Sequence, residues 1–129
     1  MMRTVHAVLT AVLLSGALQG AAATPVDDLR RQYQAEGAGP FDAARGAALW
    51  QSAPLGRRCA DCHSGDLRGS GKHAKTGKAI EPLAPSVNPK RLSDQRQVRK
   101  WLKRNCQWTF DRPCTPQEKG DLLTWLEQQ

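Results

Sequence analysis

The chain has 129 residues, of which 19 are Lys or Arg and 12 are Asp or Glu, giving a formal net charge of +7, and 40% are hydrophobic. This length holds one compact domain and excludes a second independent core. The basic balance suits a surface that steers an acidic partner, while the lack of any nucleic-acid-binding motif argues against nucleic acid as that partner.

Residues 1–23 carry a basic residue at Arg3, an apolar stretch over 8–18 and the small-residue run Ala21-Ala22-Ala23. That is the layout of a cleaved secretory signal, and the apolar stretch falls short of the roughly 20 residues a spanning helix needs. Cleavage after Ala23 is expected to leave a mature domain over 24–129, exported to the periplasm without a permanent membrane anchor. Losing Arg3 would set its charge at 18 basic minus 12 acidic residues, or +6.

Thr24-Pro25 followed by Asp27 and Asp28 predicts a helix start, with an N-cap, a proline at the first position and acids in the first turn. Val26, Leu29 and Tyr33 then recur at helical spacing until Gly37. Asp42 can cap a second helix bearing Ala43, Gly46, Ala47 and Trp50, with Gly46 and Trp50 one turn apart on one face. A glycine in mid-helix costs stability unless another backbone packs against it.

Residues 64–89 are rich in Gly, Lys, Pro and Ser and show neither helical nor strand periodicity, so they read as a long ordered loop. A loop of this length in a small domain needs something to wrap around, and the apolar, stiff run Ile80-Glu81-Pro82-Leu83-Ala84-Pro85 is expected to wall such a site. Ser93 and Asp94 open a third helix with Val98, Trp101 and Leu102 on its apolar face and Arg99, Lys100, Lys103 and Arg104 on the others. Asn105 continues the apolar spacing and is expected at the end of that helix. Thr115-Pro116-Gln117-Glu118 combines a capping box with a proline at the first helical position, and the fourth helix it starts presents Leu122, Leu123, Trp125 and Leu126. Strand signals are absent, so the domain is expected to be all-α.

Cys59-Ala60-Asp61-Cys62-His63 is the C-x-x-C-H pattern of covalent haem attachment. Two thiols at this spacing can each form a thioether with a vinyl group of one macrocycle, while the adjacent His63 imidazole reaches the iron. A thioredoxin-like redox pair would call for a βαβ setting, and a zinc site for further ligands at matched spacing; neither is present. The cofactor implied is a single haem c.

On the other face of the iron an electron carrier usually places a methionine sulfur. The two methionines of the chain are Met1 and Met2, both inside the expected leader, which excludes a His/Met cytochrome for the mature domain. Open candidates are His73, a lysine, water, an empty position, or the amide of Asn88 or Asn105. His73 would make a bis-histidine carrier; its neighbours Gly71, Lys72, Lys75 and Gly77 equally suit a solvated loop histidine. Asn105 is either a buried carboxamide in need of a partner or a helix-terminal asparagine bonded to nearby backbone.

All four cysteines lie in the exported portion. Cys106 and Cys114 flank a short segment in an oxidising compartment and are expected to form a disulfide. It would brace the turn after Asn105 by about 2–3 kcal/mol.

Several stretches together resemble the sphaeroides haem protein family: Gly77-Lys78-Ala79-Ile80-Glu81-Pro82-Leu83-Ala84-Pro85-Ser86, Arg91, Lys100-Trp101-Leu102, Arg104-Asn105-Cys106, and Arg112-Pro113-Cys114-Thr115 with Glu118-Lys119. The likeness spans nearly all of the mature domain, and Arg104-Asn105-Cys106 with the second cysteine is its most specific part. At Phe110-Asp111 the sequence departs from the family pattern, which has a small glycine turn there. The resemblance implies a class I cytochrome c fold wrapped around one haem, and a contact of Gly46 and Trp50 with Leu122 and Trp125 where its terminal helices cross. It implies Asn105 as a sixth iron ligand released on reduction, leaves Asn88 outside the matching position, and pairs Cys106 with Cys114. It further implies electron transfer with diheme c-type and membrane b-type cytochromes, and a ferrous iron open to O2, NO or CO. A reductase acting on a small oxygen or nitrogen species at the open iron is an alternative, for which no dedicated general acid is evident. A plain bis-histidine carrier using His73 is another.

Overall fold

The computed structural model describes residues 20–129, and its longer helices begin where the polar caps of the sequence stand. Residues 1–19, with most of the expected leader and both methionines, lie outside the described residues. Helix α1 (Pro25–Ala35) starts at Thr24, whose hydroxyl accepts from the Asp27 N–H at 3.1 Å while the Asp27 carboxylate accepts from the Thr24 N–H at 2.9 Å. Helix α2 (Ala43–Gln51) is capped by Asp42, which accepts from the Arg45 N–H at 2.9 Å. A single turn follows as α3 (Ala60–His63).

The loop over 64–89 contains a minimal hairpin that its composition does not announce. Strands β1 (Gly71–Lys72) and β2 (Ala79–Ile80) pair antiparallel, with Gly71 opposite Ile80 and Lys72 opposite Ala79. Two residues per strand are too few to display an alternation of period two. Apart from this hairpin the described residues are helix and loop, as expected for an all-α domain.

Helix α4 (Gln95–Phe110) begins at Asp94, which accepts from the N–H groups of Arg96 and Gln97. It does not end at Asn105 but runs on through Cys106 to Phe110, because neither glycine nor proline interrupts it. The stop is Asp111, held at φ 54°, whose N–H donates to the Gln107 carbonyl at 3.0 Å. This is the left-handed position that glycine usually fills. Here Asp111 takes it, with its carboxylate accepting from the Gln107 amide at 3.1 Å, so the turn forms without glycine. Helix α5 (Pro116–Leu126) opens on the expected capping box: Thr115 accepts from the Glu118 N–H at 3.2 Å and Glu118 from the Thr115 N–H at 2.8 Å.

Two apolar clusters share α5. Leu123 packs with Val26, Leu29 and Tyr33 of α1 and Val98 of α4, whereas Leu122 and Leu126 pack with Trp50, Leu67 and Ala84. The crossing of α2 over α5 is tight: a Cβ on Gly46 would overlap the Asp121 carbonyl and crowd the Trp125 side chain, which is why the helix tolerates glycine there. Trp50 and Trp125 lie 5.3 Å apart between ring centroids at the same crossing. The buried Asp121 carboxylate secures one end of it, accepting from the Asp42 N–H at 2.7 Å, from Arg45 Nε at 2.8 Å and Nη2 at 2.9 Å, and from the Gln117 amide at 3.0 Å.

Candidate functional site

One helical turn such as α3 cannot stand on its own hydrogen bonds, so its surroundings hold it. The Arg58 N–H and Nε donate to the Asp61 carboxylate at 2.8 and 3.0 Å. On the opposite side Gly71 of the hairpin packs so close to the Cys62 carbonyl that any Cβ would overlap it. The turn is thereby presented with Cys59 at its N-cap and His63 at its last position, and the two thiols, three positions apart, lie along one side of the helix.

A cavity of about 620 Å³ is lined by Cys62 and His63 of this turn, by Trp50, by Ile80 and Leu83 of the expected apolar wall, and by the inner face of α4. Its size falls within the roughly 300–1,000 Å³ of ligand pockets. The His63 ring lies 5.4 Å from that of Trp50, and its Nδ1 is buried without a hydrogen-bond partner. Burial, with a smaller contribution from the positive charge of Arg91, pushes the His63 pKa down to about 4. At neutral pH the imidazole is therefore uncharged, the form that binds a metal.

Cys59 and Cys62 are free thiols. The Cys62 sulfur accepts from the Ala74 N–H at 3.4 Å, and the Cys59 sulfur stands 3.8 Å from the Thr109 hydroxyl. Burial raises the Cys59 thiol above its usual range, and Cys59 is not among the residues lining the cavity. Two free thiols three residues apart, a buried neutral imidazole with an orphaned nitrogen, and an adjoining apolar cavity fit a covalently attached haem. Cys59, Cys62 and His63 would hold it.

The inner face of α4 brings Val98, Trp101, Leu102, Asn105 and Trp108 to the same cavity. Since α4 continues beyond it, Asn105 is not a helix terminus, and its side chain makes no hydrogen bond with protein among the described residues. Cys106 turns the other way; it is 3% exposed and bonded to Cys114, with 5.5 Å between the Cα atoms. His73 also reaches the cavity, from an exposed position on the hairpin loop where its Nδ1 accepts from the Thr76 N–H at 3.1 Å. Asn88 lines the cavity with its amide engaged on the Pro82 carbonyl at 3.0 Å. Arg91 and Trp108 line it too, and neither stood out in the sequence as a site residue. Reading the helix three residues past Asn105 reaches Trp108, seven residues from Trp101 on one face.

A family described as a domain of unknown function (DUF1924) matches residues 36–126. Cytochrome c-type protein SHP of Cereibacter sphaeroides is 44% identical over 127 residues, covering 95% of this chain and 96% of that protein. The structure of oxidised SHP, described as an oxygen-binding cytochrome c, is similar with a TM-score of 0.75 and 43% identity, covering 84% of this chain and 100% of that one. Cytochrome c″ of Methylophilus methylotrophus is similar both in its oxidised crystal structure and in a solution structure that addresses haem-ligand detachment. The TM-scores are 0.67 and 0.65, the identities 29% and 30%, and the coverage 81% of this chain and 94% and 93% of theirs. With the C-x-x-C-H turn and cavity described above, these likenesses establish that the chain belongs to the sphaeroides haem protein family, as a c-type cytochrome whose all-α, class I domain wraps around one covalently attached haem c.

Proposed function

We propose that the protein is a periplasmic electron-transfer cytochrome in which the Asn105 carboxamide is a detachable sixth ligand, bound in the ferric state and released on reduction. The observation that carries this reading is that Asn105, with no protein hydrogen bond of its own among the described residues, lines the cavity that His63 also lines. Composition supports it, because the methionines are confined to positions 1 and 2. Residues 1–23 would be the export signal, and no helix among the described residues is long and apolar enough to cross a membrane.

The bound haem supplies one-electron chemistry and an iron position that a small molecule can occupy. The residues of the chain govern access to that position. A neutral amide oxygen is a hard, weak donor that suits ferric iron better than ferrous, so Asn105 would hold the oxidised cofactor and would be the weaker ligand once it is reduced. Trp101 and Trp108, on the turns either side of Asn105, restrict the opened face to small ligands such as O2, NO or CO. Arg104 and Lys100 sit 5.3 and 5.4 Å from the centroid of the Trp101 ring and Arg57 sits 5.4 Å from that of Trp108, steadying both indoles. The oxygen binding described for SHP and the ligand detachment addressed in cytochrome c″ support this choice of chemistry. Other cytochromes, diheme c-type or membrane b-type, are the proposed redox partners, and the basic surface suits an acidic one.

The test is the visible spectrum of the haem-loaded protein, oxidised and reduced, with and without CO, for the parent and for Asn105→Ala. The reading requires a high-spin reduced form that binds CO, and an oxidised spectrum altered by the substitution. A low-spin reduced spectrum indifferent to CO and to Asn105→Ala would refute it; loss of that spectrum in His73→Ala would assign the iron to His73 instead.

A further inference from the structure

We infer that Arg91 positions the cofactor: its guanidinium, anchored to the Glu81 and Pro82 carbonyls, offers its free Nη1 amino group to a haem propionate and thereby holds the reduction potential up. Arg91 Nε donates to the Pro82 carbonyl at 2.9 Å and Nη2 to the Glu81 carbonyl at 2.8 Å. Its own N–H donates to the Asn88 carbonyl at 2.9 Å, and the Asn88 amide meets the same Pro82 oxygen at 3.0 Å. The guanidinium is thus fixed against one wall of the cavity it lines.

All of these acceptors are neutral. Among the described residues no carboxylate lies within ion-pair distance of Arg91, unlike Arg30, Arg31, Arg45, Arg58 and Arg112; of the other arginines without one, only Arg104 also lines the cavity. Glu81 and Asp94 also line the cavity, yet Arg91 meets Glu81 only through the backbone. Of the other cations lining it, Arg104 is stacked on Trp101, while Lys75 and Lys90 are exposed on loops. A pinned guanidinium left without a counter-charge is matched by the two carboxylates that a haem carries on its propionate arms. Pairing one of them reduces the negative charge near the iron, which favours the ferrous state. This pairing is independent of which group occupies the sixth position.

The experiment compares the ferric haem-loaded parent with Arg91→Gln, which keeps a donor for the Glu81-Pro82 strap but loses the charge, and Arg91→Lys, which keeps the charge but loses the fork. Midpoint potential is measured by spectroelectrochemistry, and thermal unfolding reports on the strap. The expected result is a lower potential in Arg91→Gln and a near-parental potential in Arg91→Lys, whatever either does to Tm. An unchanged potential in Arg91→Gln, or an equal fall in both variants, overturns the inference, because a role in shaping the strap alone moves Tm and not the charge balance. The Arg91→Gln shift should persist in an Asn105→Ala background. Its disappearance there would show that the effect runs through Asn105 and would also overturn the inference.

Discussion

Replacing Gly46 by Ala sets two effects of opposite sign against each other. In a solvent-facing helix the change would add about 1 kcal/mol of stability through helix propensity. At this position the new methyl group meets the Asp121 carbonyl and the Trp125 side chain, and backbone cannot rotate aside as a side chain can. Overpacking of this kind costs about 1–3 kcal/mol, and moving α2 off α5 would also loosen Trp50 from Leu122 and Leu126. We therefore expect a net loss of about 1–2 kcal/mol, seen as a fall in Tm on the order of 5–10 °C for a domain of this size. Thermal unfolding of the ferric haem-loaded protein, followed by far-UV circular dichroism, measures it. Because Trp50 also packs beside His63, the Soret band should shift as well. A Tm equal to or above that of the parent would refute the reasoning, since it would mean that the crossing yields freely and propensity decides.

The Asp121 carboxyl would be raised by burial alone, but hydrogen bonds from Arg45, the Asp42 N–H and Gln117 outweigh that and hold it below the usual carboxylate range. Its stabilising contribution is present above the unfolded-state pKa of about 4 and is lost as pH falls through the lower folded value. Asp121→Asn should therefore cost most between pH 5 and 7 and progressively less at more acid pH, as urea titrations across that range would show; a penalty independent of pH would contradict the assignment. Removing the disulfide with Cys106→Ser and Cys114→Ser together, which frees a link of sequence separation 8, should lower stability by about 2–3 kcal/mol. Denaturant midpoints of the ferric double variant test this, and a loss well under 1 kcal/mol would mean that α4 and α5 hold the segment unaided.

Most helix starts were legible because they rest on local chemistry. Thr24, Asp42, Asp94 and Thr115 each carry an oxygen that satisfies the N–H groups of the first turn, and no distant residue is needed to recognise them. The end of α4 was not legible in the same way: its signal is an aspartate adopting a left-handed conformation, which the residue type permits but does not demand. The spacing of Val98, Trp101, Leu102 and Asn105 did foretell one shared face, and all four line the cavity. The apolar run over 80–85 likewise became a wall, since Ile80 and Leu83 have little to gain from water. The role of Arg91 was hidden because an arginine in a polar loop gives no hint that its partners are backbone carbonyls ten and nine residues earlier. The hairpin over 71–80 escaped for want of length.

Leu122 and Leu123 are neighbours in sequence, yet each belongs to a different apolar cluster, while Leu92 and Leu102 touch both. The domain consequently has no plane along which one part can open and leave the other intact. Loosening α1 removes partners from Leu123, and the strain passes along α5 to the cluster that supports Trp50 and hence His63. In hydrogen-exchange experiments the slowest amides of α1, α2 and α5 should then share one opening free energy and respond to denaturant with one slope, the behaviour of a single cooperative unit.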